Sequence, residues 1–67
     1  MKNLEITINR KNDSVTTFGM MHSVKGNVDG TINFYEAGIN NEMEDNEIID
    51  YFEEEYSSYY NVIVIFK

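Results

Sequence analysis

The spacing of apolar residues changes along this chain, and that change constrains its fold more than any other feature. In LEITIN, Leu4, Ile6 and Ile8 alternate with polar residues, the period of a strand buried on one face. After Gly38 the period lengthens. Ile48, Ile49, Phe52, Tyr56, Tyr59 and Tyr60 fall within about 120° of one another at the helical repeat, the stripe of an amphipathic helix. Val62 to Phe66 is then an unbroken apolar run of five residues, which reads as a strand apolar on both faces. A chain with both periods must lay a helix across a sheet.

The intervening segments fill in the order. RKNDS after the first strand supplies turn residues. Across Val15 to Val24, Val15, Phe18 and Met21 recur at helical spacing, but Thr16, Thr17 and Gly19 disfavour a helix, so the stretch is read as a strand. GNVDGTINFY places Asp29-Gly30, a favoured hairpin pair, between residues that can form strands, with Ile32 and Phe34 on one face. Asn41 followed by Glu44 has the form of a capping box, and Asp45 or Asn46 would cap a shorter helix. The expected fold is α+β in the order ββ(β)αβ: a small mixed or antiparallel sheet of three to four strands with one amphipathic acidic helix. Residues 1–67 form a single domain, since a chain this short buries only about 60% of its unfolded surface. No cysteine is present to reinforce that core.

Charge is distributed unevenly. Residues 1–25 carry a net +2 and residues 26–67 a net −9, which together give −7. Such a field repels nucleic acid and anionic lipid on the acidic side and attracts basic protein surfaces. Between Glu42 and Tyr60 there are eight carboxylates and four tyrosines without one lysine or arginine. At the helical period Glu47, Asp50 and Glu54 lie opposite the apolar stripe, flanked by Glu44 and Glu55, with Tyr51 among them. These six are the candidate partner-binding residues. Like charges at i,i+3 and i,i+4 destabilise a helix by roughly 0.2–0.5 kcal/mol per pair, so a helix this acidic opposes its own folding. Usual solvated faces interleave lysine; this one does not. Eight carboxylates along about 21 Å of helix amount to one per roughly 2.6 Å, comparable with the phosphate density of DNA, about 1.7 Å for a duplex and 3.4 Å for a single strand.

In size and in the acidic character of Glu42 to Tyr60, the chain resembles the small acidic inhibitors that phages deploy against host machinery, including anti-CRISPR and DNA-mimic proteins. Those inhibitors share no common motif, so the resemblance transfers no residue roles. It implies a non-enzymatic inhibitor or adaptor docking on a basic, nucleic-acid-binding surface of a host protein such as a CRISPR effector, polymerase or repressor. No direct nucleic-acid or membrane binding is expected, and the compartment would be the cytoplasm, that of the host for a phage protein.

Two other readings remain open. The C-terminal apolar strand has two sets, Val62/Val64/Phe66 and Ile63/Ile65, and a single helix covers one sheet face, so the strand or the bare face can drive homodimerisation. KGNVDGTINFYE, residues 25–36, resembles an EF-hand loop at Asn27, Asp29, Gly30, Ile32 and Glu36, but Lys25 occupies the first ligand place. No metal or cofactor is therefore expected. His22 is the only histidine, and no partnered serine motif or phosphate-cradling loop occurs, so the chain is not expected to be an enzyme.

Overall fold

The computed structural model of the chain describes residues 2–19 and 30–67. The elements are β1 (Lys2–Asn9), β2 (Ser14–Phe18), β3 (Gly30–Asn33), α1 (Phe34–Ala37), α2 (Asp45–Tyr56) and β4 (Tyr60–Phe66). They build a mixed α+β fold. The sheet order is β3-β2-β1-β4, with β1 antiparallel to β2, β2 antiparallel to β3, and β4 parallel to β1.

The alternation in LEITIN works as its period requires: Leu4, Ile6 and Ile8 are fully buried, and Val15 joins them opposite Ile8. Residues 10–13 make the turn. Asp13 adopts φ 52° there, a left-handed conformation that aspartate tolerates better than most residues. The β2 strand ends at Phe18. Gly19 has φ 108°, and a Cβ on it would strike the Asn3 carbonyl oxygen, so β2 is followed by a position only glycine fits. The rest of the expected strand and the Asp29 half of the expected turn lie outside the described residues.

Strand β3 is shorter than its pattern suggested, and Phe34 does not share a strand face with Ile32. The Asn33 side chain accepts a hydrogen bond from the Glu36 amide at 2.7 Å and caps α1, an element the sequence did not disclose. Phe34 thereby turns into the core. Gly38 closes α1 at φ 84°.

The long helix starts later than an Asn41 cap would place it. Asn41 is engaged elsewhere, donating to the Arg10 carbonyl at 2.9 Å and to Asp13 Oδ1 at 2.8 Å. Glu44 takes the N-cap position, where its amide donates to Glu47 Oε1 at 2.9 Å. At the other end Ser57 caps the helix. Tyr59 and Tyr60 therefore do not extend its apolar stripe: Tyr59 is exposed and Tyr60 is the first residue of β4, buried in the core.

One core results, formed by Leu4, Ile6, Ile8, Val15, Phe34, Ile39, Ile48, Phe52 and Tyr60. It lies between the sheet and the two helices, with α1 over β2 and β3 and α2 over β4. Val62, Val64 and Phe66 pair with Leu4, Ile6 and Ile8 and so face the helices. Ile63 and Ile65 pair with Glu5 and Thr7 on the opposite face, where they and Phe18 are exposed. The uncovered set is thus Ile63/Ile65.

Candidate functional site: the outer face of the acidic helix

Helix α2 is held by its apolar stripe. Ile48 and Phe52, four residues apart, are buried, while Ile49 and Tyr56 beside them are half-buried. That anchoring turns Glu47, Asp50 and Glu54 outward, and all three are exposed. Glu44 stands exposed at the N-terminal end of the same strip. Of the six residues chosen from the helical pattern, these four are brought together on open surface.

The other two sit lower. Tyr51 is half-buried, its ring meeting Phe52 edge-on at 5.2 Å and 79°. A Cβ on Gly38 would overlap the Tyr51 hydroxyl, so the phenol end lies against the close of α1. Tyr51 consequently joins helix to core and offers only part of its ring to a partner. Glu55 is half-buried on the same flank.

The strip divides by what neutralises it. Glu47 accepts from the Glu44 amide, a local task at the helix start. Asp45 is paired with Arg10 at 2.7 Å. Among the described residues no ion pair joins Asp50, Glu53 or Glu54 to a base. Of these, Glu53 and Glu54 lie in the last turn of α2, where the helix dipole disfavours carboxylates.

Arg10 is the residue that sequence reasoning missed. Its guanidinium donates to the Asn41 carbonyl and Oδ1 at 3.2 and 3.1 Å, to the Met43 carbonyl at 2.9 Å and to Asp45 Oδ1 at 2.7 Å. It also lies 5.9 Å from the Phe66 ring centroid. One side chain thus fixes the α1–α2 connection against the end of the β1–β2 hairpin. Glu53, exposed one turn beyond Asp50, was likewise left out of the candidate set; its i,i+3 relation to Asp50 was the available signal.

Only the second half of the calcium-loop pattern falls among the described residues. Gly30–Asn33 is a strand paired with β2 and Glu36 is in α1, while Lys25, Asn27 and Asp29 lie outside the described residues. His22 is outside them as well. Among the described residues no group of three or more His, Cys, Asp or Glu side chains is placed to hold a metal ion, and no helix is long and apolar enough to cross a membrane. Comparison with protein-family models, with curated proteins and with solved structures finds no match to this chain.

Proposed function

We propose that the protein is a non-enzymatic inhibitor or adaptor whose α2 docks on a basic protein surface. One observation carries this reading: Asp50, Glu53 and Glu54 stand exposed and, among the described residues, are paired with no base, while Arg10 is occupied at Asp45. A helix that needed only solubility would gain from an interleaved lysine; this one forgoes that stabilisation along its outward face. With α2 confined to Asp45–Tyr56, six carboxylates lie along about 18 Å, or one per roughly 3 Å, a density that suits a groove of lysine and arginine. The partner is accordingly a nucleic-acid-binding protein, of the kind that small acidic phage inhibitors engage in the host cytoplasm.

The test is capture from bacterial lysate on the tagged protein, with elution by duplex DNA at two salt concentrations. A basic, DNA-binding protein displaced by DNA, and held less tightly at the higher salt, is the expected outcome. Capture that neither DNA nor salt disturbs would refute docking at a nucleic-acid site.

A further inference from the structure

The outer edge of β4 has a chemistry that the acidic face alone does not use. Strand β4 ends the sheet order, and among the described residues β1 is its only strand partner. The Lys67 amide donates to the Ile8 carbonyl at 2.9 Å. Since backbone groups along a parallel strand alternate in direction, odd positions turn theirs toward β1, and Val62 and Val64 turn theirs outward. Natural edges are usually blunted by a lysine, a proline or a bulge. YNVIVIF contains neither lysine nor proline, and its pairing with β1 runs without interruption from Tyr60 to Phe66.

The side chains beside this edge are incompletely covered. Val62, Val64 and Phe66 on the helix side are half-buried, as is Ile49 of α2, and Ile63 and Ile65 are exposed on the other face. Tyr51 directs one flank of α2 toward Gly38 and α1, which lies over β2 and β3. The opposite flank, with Asn46, Ile49 and Glu53 at i, i+3 and i+7, lies on the side of the free edge. Glu53 is exposed there and Asp50 lies near it on the helix surface.

We infer that β4 accepts an added strand from a partner protein: an extended segment with apolar side chains beside Ile63 and Ile65 and basic ones on the α2 side. Lysine or arginine at those alternate positions lays its aliphatic stem over Val62 and Val64 and carries its charge to Glu53. Charge selects this occupant over a second copy. Two β4 strands paired about a two-fold axis would place both α2 helices on one face with their Glu53 flanks opposed, in a dimer of two chains that each carry −7. The inference rests on the acidic-docking reading only for the sign of the partner's charge; the strand addition rests on the edge.

Amide hydrogen exchange tests it, with a seven-residue peptide alternating valine and lysine, its valine–glutamate counterpart, and a lysine peptide N-methylated along one edge. The lysine peptide is expected to slow exchange at Val62 and Val64 at least tenfold, with the glutamate and N-methylated peptides inactive. Val64→Pro removes an outward amide at an edge position where proline is tolerated, and it should abolish that protection. Protection present without peptide and rising with protein concentration would overturn the inference in favour of a second copy. Equal protection by both charged peptides would overturn the basic partner. A Val64→Pro variant that still captures its lysate partner, while Glu47→Lys/Asp50→Lys/Glu54→Lys does not, would overturn strand addition and leave the helix reading standing.

Discussion

The Arg10 guanidinium reaches Asp45, 35 positions along the chain, at 2.7 Å, and in the same reach it donates to Asn41 and Met43. The relationship bears on where α2 begins, since it ties Asn41 and Met43 of the connection and Asp45, the first residue of the helix, to one guanidinium and leaves Glu44 as the cap. Arg10→Ala should lower stability by about 1–3 kcal/mol, mostly through the released carbonyls rather than the ion pair. The pair itself, with side chains 30% and 63% exposed, should show a coupling of only about 0.5 kcal/mol in a double-mutant cycle with Asp45→Asn. Urea unfolding measures both. Arg10→Lys should recover less than half the loss, because an ammonium cannot span the same set of acceptors.

Gly38 and Tyr51 are coupled in space. Gly38→Ala is expected to destabilise the protein by about 1–3 kcal/mol, part of it from φ 84° and part from overlap with the Tyr51 hydroxyl. In a Tyr51→Phe background the same substitution should be less damaging by about 0.5 kcal/mol or more. Additive losses in denaturant titrations would show that the backbone conformation alone sets the requirement for glycine.

The core under α2 and the open face of the sheet should respond differently to truncation. Ile48→Ala opens a cavity at a fully buried position and should lower stability by about 2–5 kcal/mol, enough to unfold a domain whose core supplies about 3–5 kcal/mol. Ile63→Thr, on the open face, should change it by less than about 1 kcal/mol. Circular dichroism melts of the two variants test the assignment of the bare face to Ile63 and Ile65.

Much of this architecture was legible in the pattern of residues. The period of two in Leu4, Ile6 and Ile8 and the helical period of Ile48 and Phe52 report burial directly, so both elements and their buried faces follow from spacing. The failures arose where a local hydrogen bond or one backbone angle decided the outcome. Asn33 ended a strand by capping α1, Gly19 follows the end of another at a positive φ, and Ser57 ended α2 although Tyr59 and Tyr60 continued its apolar period. The outward placement of Glu47, Asp50 and Glu54 followed from periodicity. The inward lean of Tyr51 did not, because it depends on Gly38, which only the tertiary fold brings near. Arg10 was invisible for the same reason, its partners all being distant in sequence.

The central claim is that the outer face of α2 is kept acidic for docking, against the interest of stability. Replacing Asp50 alone by lysine turns the repulsive pairs Glu47/Asp50, Asp50/Glu53 and Asp50/Glu54 into attractive ones, each worth roughly 0.2–0.5 kcal/mol, and leaves the Glu47 carboxylate to accept from the Glu44 amide. The most direct measurement is urea unfolding of Asp50→Lys at low and high salt, paired with capture of the lysate partner by Glu47→Lys/Asp50→Lys/Glu54→Lys. The account predicts that Asp50→Lys is about 0.5–1 kcal/mol more stable at low salt, with the gain shrinking at high salt, and that the triple variant loses capture. Capture equal to that of the wild-type chain would contradict it, and the acids would then serve solubility alone.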